Sequence, residues 1–281
     1  MKKSINLWVA PDGKDIYEVL AVIRDAGFEA VEPNLDEGGY LSLSSTNREI
    51  EAFRNRVEKL NLKIVSVSSG LLWKYTLSSP DASIRTKAQD IIKKQIETAA
   101  LLGADTILVI PGVVHADWSE QKEIVGYDIA YQRSQESLKK LVPVAEKAKV
   151  CLGVEPVWNK FLLSPLEMKQ FVEKFDSPYV GVYFDTGNVV INGYPEMWIR
   201  ILGKLVRKIH FKDFKRSVGT IDGFCNLLEG DVNWPEVINA LKEVGYDGYV
   251  TAEFWAYKYH PETIIYTTSL SMDRILGITH K

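Results

Sequence analysis

The chain is expected to fold as one α/β domain over residues 1–281, a (β/α)8 TIM barrel, and three observations predict this. Eight short apolar runs alternate with eight helical patterns. Four of those runs, CLGVEP, VGVYFD, RKIHFKD and YVTAEF, carry a metal-ligand residue type at or near their ends, in the order Glu155, Asp185, His210 and Glu253. No glycine-rich phosphate turn follows an early strand, as a doubly wound open sheet would require. Ligands from four successive strands converge only if those strands lie side by side with their ends facing the same way. That geometry places a metal site at the mouth of a closed parallel barrel.

The elements follow in order. A first strand is expected over Ile5–Ala10, then a helix near Asp15–Ala26 that Gly27 stops. Glu29–Asn34 is the second strand, and Asn47–Leu60 a helix with Thr46 or Ser45 as its cap. Lys63–Ser68 leads to a longer helix near Ser83–Leu102 that ends at Gly103. Thr106–Ile110 is closed by Pro111-Gly112, and Tyr131–Lys147 reads as a helix with Pro143 as a kink point. Val150–Glu155 precedes a helix over Ser164–Phe175, with Ser164 as cap and Pro165 in its first turn. Val180–Asp185, Val206–Lys212 and Tyr249–Phe254 are the last three strands, followed by helices near Pro195–Leu202, Trp234–Val244 and Pro261–Leu276. The longer connections, Gly70–Asp81, Gly112–Ala130 and Lys215–Asn233, all leave the C-terminal face, where a barrel of this kind holds its chemistry.

A length of 281 residues with 46% hydrophobic content suits one barrel. A net charge of −3 argues against a nucleic-acid partner, which needs a basic face to neutralise phosphates. Cys151 and Cys225 have no metal-ligand spacing and make no disulfide framework; Cys151 reads as a small buried hydrophobe. The start MKKSINLWVAPDG has no long apolar segment, and no stretch approaches the roughly 18 apolar residues of a membrane span. A cytoplasmic location without membrane contact is therefore expected. The aromatic content leaves room for a homo-oligomer interface.

Each candidate ligand alone has a plain structural explanation. Glu155 or Glu253 could be half of an ion pair, Asp185-Thr186-Gly187-Asn188 an Asx-turn, and His210 a hydrogen-bonded strand histidine. The group changes that. Buried carboxylates at three strand ends of one barrel would repel unless protonated or neutralised by a cation. Three carboxylates and an imidazole form a mostly hard donor set, suited to one divalent ion: Mn²⁺ foremost or Mg²⁺, with Co²⁺ or Zn²⁺ tolerated.

The motifs GVEP, FDTGN, IHFKD and TAEF, with Glu229-Gly230-Asp231-Val232, resemble the sugar isomerase/epimerase superfamily of xylose isomerase-like barrels. Within it the chain is most similar to ketose 3-epimerases, including tagatose/psicose 3-epimerases and L-xylulose/L-ribulose 5-phosphate 3-epimerases. The resemblance implies that Glu155, Asp185, His210 and Glu253 hold the metal, that the two glutamates form the acid/base pair, and that Arg216 stabilises the enediolate. One departure stands out. Many free-sugar members have histidine three residues after the aspartate ligand, where this chain has Asn188, and that leans towards the sugar-phosphate branch.

The chemistry agrees with that assignment. Epimerisation beside a carbonyl needs a weakly acidic proton removed from one face and returned to the other. A Lewis acid steadies the enediolate, and one glutamate on each side acts as base and conjugate acid. Glu32, Asn188, Trp158 and Asn159 are candidate contacts for the sugar, with Trp8, Trp255 and Phe254 as apolar walls. Lys215, Arg216 and Ser217 form a basic loop that could receive a phosphate. His115 and His260 fall in mouth-side loops and His280 beside the C-terminus, without an assigned role. The expected partner is a small sugar or sugar phosphate. Rival readings are an aldose–ketose isomerase with the same site, a dehydratase of inositol-type ketones, an apurinic endonuclease, disfavoured by having only four histidines, and a sugar-binding protein without catalysis.

Overall fold

The computed structural model describes residues 1–118 and 123–279. Part of the Gly112–Ala130 connection, and His280, therefore lie outside the described residues. Eight parallel strands are β1 (Lys2–Asn6), β2 (Ala30–Glu32), β3 (Lys63–Ile64), β4 (Thr106–Val109), β5 (Cys151–Val154), β6 (Val180–Asp185), β7 (Val206–Phe211) and β8 (Tyr249–Ala252). Ladders join them in the order β3-β2-β1-β8-β7-β6-β5-β4. The remaining seam, between β3 and β4, is closed by a parallel bridge from Val67 to Ile107. Here Val67 N–H donates to Thr106 O at 3.2 Å and Leu108 N–H to Val67 O at 2.9 Å. The sheet is thus a closed barrel, as the sequence predicts.

Among the described residues, apart from a four-residue helix at Leu71–Lys74, eight helices cover it: α1 (Ile16–Asp25), α2 (Asn47–Lys59), α3 (Ala82–Leu102), α4 (Tyr127–Ala148), α5 (Pro165–Glu173), α6 (Pro195–Leu202), α7 (Trp234–Glu243) and α8 (Thr263–Leu276). Their starts are chemically marked. Thr46 caps α2 in a reciprocal box with Glu49, and Ser164 accepts from Glu167 N–H ahead of Pro165 at the start of α5. Helix α2 shows the packing logic: Ile50, Phe53 and Val57 repeat at helical spacing and are buried. Each contributes about 1.5–3 kcal/mol relative to exposure.

Several boundaries differ from expectation for local reasons. The first strand stops at Asn6, because its side chain accepts from Trp8 N–H at 2.8 Å and turns Leu7–Val9 into a 3-10 helix. Helix α4 begins at Tyr127 and runs through Pro143, whose ring lies on an exposed face where water can serve the freed carbonyl. Strand β3 keeps only two ladder residues, and its pairing resumes at Val67 and Ser68 as isolated bridges. Among the described residues no helix is long and apolar enough to cross a membrane.

The N-terminal end of the barrel is tied by a buried ion pair. Lys3 Nζ lies 2.5 Å from Asp273 Oδ1 of α8 and donates to Ser269 Oγ at 2.8 Å. The opposite, C-terminal end opens into a cavity of about 520 Å³, and all three long connections reach it: Gly70 and Trp73 from the first, Trp118 from the second, Ile221 and Phe224 from the third.

Candidate metal centre

Strand geometry aims the ligands. Asp185 on β6 pairs directly with His210 on β7, and Thr251 on β8 is also in register with His210. Glu155 and Glu253 each follow their strands, held by backbone bonds to Val109 O at 3.0 Å and Phe211 O at 3.3 Å. One ligand atom from each of Glu155, Asp185, His210 and Glu253 lies within 4.8 Å of the other three, and all four residues are buried. His210 Nδ1 is 2.7 Å from Glu253 Oε2, 3.5 Å from Glu155 Oε1 and 4.0 Å from Asp185 Oδ2. Despite this crowding, His210 Nδ1 and Asp185 Oδ2 are buried without a hydrogen bond. Buried polar atoms without partners are costly, and these two face a common centre. The set fits a divalent cation: three carboxylates that offer hard oxygens, one imidazole nitrogen, and two atoms turned to the centre without a hydrogen bond.

The imidazole is held from behind. His210 Nε2 lies 2.8 Å from Glu32 Oε1, so Nδ1 is the nitrogen turned to the cluster. Glu32 is fully buried and accepts also from Asn6 Nδ2 at 2.5 Å and from the hydroxyls of Ser66 and Tyr183. Burial alone would raise its pKa; His210 and the two hydroxyls hold it below the ordinary carboxylate range. Asn6 and Ser68 are tied in turn to Asn34 Nδ2 at 3.0 and 2.6 Å. Glu32 is therefore a support for His210 beneath the cluster and is absent from the cavity wall, contrary to its expected sugar contact.

Other expected residues divide in the same way. Asn188 and Trp158 line the cavity, together with Trp8 and Trp255. Asn188 N–H donates to Asp185 Oδ1 at 2.8 Å, its Nδ2 reaches Glu155 Oε1 at 3.4 Å, and its carbonyl accepts from Trp158 Nε1 at 3.0 Å. Asn159 is a correction: fully buried, it donates to Gly112 O at 2.6 Å and accepts from Phe161 N–H at 3.1 Å, which pins its loop and leaves nothing for a sugar. Phe254 is buried away from the wall. Arg216 is also placed differently from expectation. Its Nε donates to Val190 O at 3.3 Å and its guanidinium lies 5.1 Å over the Tyr194 ring, outside the cavity. Lys215 and Ser217 are exposed and likewise do not line it.

Lys212 is the residue that the sequence reading passed over. It lines the cavity, with Nζ 2.6 Å from Glu253 Oε1 and 3.4 Å from Asp185 Oδ2. Burial favours its neutral form, but Asp185 and Glu253 hold its pKa above the usual value, so it is charged. The signal was present: residues two apart on a strand share a face, so the inward His210 predicts an inward Lys212. The FDTGN motif supports this contact, because a Cβ at Gly187 would lie 3.0 Å from the Lys212 carbonyl carbon. The next residue explains the Glu229-Gly230-Asp231-Val232 motif. Asp213 accepts from the Leu228 and Val232 N–H groups at 3.0 and 3.2 Å and from Trp234 Nε1 at 3.0 Å, and so anchors the loop into α7.

A closed parallel barrel with a four-ligand cluster at its C-terminal end defines a class, and sequence comparison names it. The family described as xylose isomerase-like TIM barrel matches residues 20–274, and the chain belongs to it. Among its relatives is the L-ribulose-5-phosphate 3-epimerase UlaE of Escherichia coli K12, 26% identical over 260 residues that cover 88% of this chain and 84% of UlaE. A D-tagatose 3-epimerase-like protein of known structure superposes with a TM-score of 0.81 at 21% identity, covering 99% of this chain and 98% of its own. The IOLI protein, solved with a bound zinc atom, superposes with a TM-score of 0.77 at 17% identity, covering 99% and 98% of the two chains.

Proposed function

We propose that this protein is a divalent-metal-dependent sugar epimerase that inverts a ketose or ketose phosphate at C3. The observation that carries the reading is that Glu155 and Glu253, from strands separated by two others, both line one cavity and both approach the same imidazole nitrogen. The activity in UlaE's name and the likeness to a tagatose 3-epimerase-like barrel support the same reading. Glu155, Asp185, His210 and Glu253 would hold the ion, with Mn²⁺ the first expectation from the donor set and Zn²⁺ compatible with it. When bound, the ion supplies Lewis-acid stabilisation of negative charge on the substrate oxygens.

The two glutamates move the proton. One carboxylate takes the C3 proton from its face and becomes neutral; the other, starting protonated, delivers a proton to the opposite face. Their environments already separate them. Burial, with the Glu253 and Asp185 charges, pushes Glu155 up to about 8, even though His210 opposes the shift. Burial would raise Glu253 too, but Lys212 and His210 bring it down to about 2. Those are the proton affinities of the metal-free site, and a bound cation would lower both. Which glutamate starts depends on the substrate's configuration. Lys212, 2.6 Å from Glu253 Oε1, fixes the orientation of that carboxylate.

The test is turnover of ketoses in D₂O with Mn²⁺, followed by NMR of the products. A ketose epimer carrying deuterium at C3 is expected. An aldose product would replace this reading by an isomerase, and no exchange at all would reduce the site to binding.

A further inference from the structure

The cavity wall is largely aromatic. Glu155, Asn188, Lys212 and Glu253 are its charged and amide groups, whereas Trp8, Trp73, Trp118, Trp158 and Trp255 make most of the wall, with Phe224. A phosphate ester brings about −1.5 to −2 charges at neutral pH and three strong acceptor oxygens. It needs guanidinium, ammonium or N–H donors placed to receive it. Lys212 is the one cation among the described lining residues, and it is already held by Glu253 and Asp185.

Three described cations of the mouth-side loops are engaged elsewhere. Lys74 pairs with Glu37 at 3.0 Å, Lys160 with Asp117 at 3.0 Å, and Arg216 is turned onto the Val190 carbonyl. Indole faces instead suit the C–H faces of a sugar, offering wide apolar area from rigid side chains.

We infer that the substrate of this site is an uncharged sugar, not a phosphate ester, gripped by tryptophan faces. The inference rests on the epimerase reading and departs from UlaE, whose name specifies a phosphorylated substrate. It also reverses the leaning that Asn188 gives the sequence.

The experiment compares L-ribulose, 5-deoxy-L-ribulose and L-ribulose 5-phosphate on the Mn²⁺-loaded protein. Both kcat/KM and the change in tryptophan fluorescence on binding are measured. The two uncharged sugars are expected to bind within about tenfold of each other and the phosphate ester at least about tenfold more weakly, the scale of one or two aromatic contacts. Tighter binding of the phosphate ester, or no binding of either uncharged sugar, overturns the inference. Failure of all three to turn over would instead sink the epimerase reading, while the fluorescence ranking still decides the question of charge. Trp255→Ala, at a rim position 57% exposed and so dispensable for folding, is expected to weaken the 5-deoxy sugar several-fold. Unchanged affinity there counts against the aromatic grip.

Discussion

The two halves of the barrel do different work at the same site. Strands β5–β8 deliver the four candidate ligands, and β6 and β7, which carry Asp185 and His210, are six residues long and paired in direct register. Strands β2 and β3 are shorter, with three ladder residues in β2 and two in β3. Among the described residues of this first half none is placed to ligate; it supplies Asn6, Glu32, Asn34, Ser66 and Ser68, hydrogen-bonded into one network behind His210. The difference is instructive. A ligand must present a free lone pair to the cavity, so its strand has to aim it. A support must be fully satisfied, so it can be buried on short strands with every oxygen accounted for.

That division can be broken from its strongest point downwards. Glu155→Gln keeps shape and hydrogen-bond capacity but loses the proton, so kcat is expected to fall by about 10³-fold or more, with the fold retained by circular dichroism. Near-normal turnover would remove Glu155 from the acid/base pair. In the supporting half, Glu32→Gln should cost about 10–100-fold in metal affinity, measured by calorimetry, because it weakens the hold on His210 without touching the ligand set. An unchanged affinity would mean that the halves are not coupled through the imidazole.

The pH dependence of metal binding sharpens the ligand half. Because Glu155 is pushed up to about 8, it carries a proton below that value which an incoming cation must displace. Apparent metal affinity should therefore weaken as pH falls from about 8 towards about 6, by at most roughly tenfold per unit, and level off above about 8. Affinity constant over that window would contradict the placement. The smallest effect on the site should come from the far end of the barrel. Lys3→Met removes the Lys3 charge from the buried Asp273 carboxylate, and breaking such a pair costs about 3–5 kcal/mol of stability. A lowered Tm with unchanged metal affinity and kcat is expected; loss of metal binding would show that the two ends communicate.

Much of the barrel could be read directly. The strand Val180–Asp185 and the helix Pro195–Leu202 coincide with expectation residue for residue, because apolar runs and proline or glycine boundaries are local signals. Asn6 shows where that reasoning fails: a capping side chain ended the strand early, and its bond to Trp8 N–H competes with the ladder. Within the site, Glu155, Asp185, His210 and Glu253 were legible because each ends or nearly ends a buried strand. Glu32 and Asn159 were placed on the sugar for the same reason, and wrongly. Position at a strand end does not reveal whether a neighbour from another strand already occupies the side chain. Lys212 stood in the IHFKD motif without a role of its own, since its contact with Glu253 and Asp185 forms only across strands.

The sequence by itself determined the architecture and the donor set, because hydrophobic period, capping residues and ligand-type residues at strand ends are properties of short segments. Only the tertiary structure decided which polar groups are spent and which are free. Glu32 is consumed by His210, Asn6 and two hydroxyls, Asn159 by its own loop, and Arg216 by the Val190 carbonyl. Those partners lie up to 178 residues away in the chain. They meet only when the barrel closes, and desolvation then makes an unpaired polar atom too costly to leave anywhere but the site.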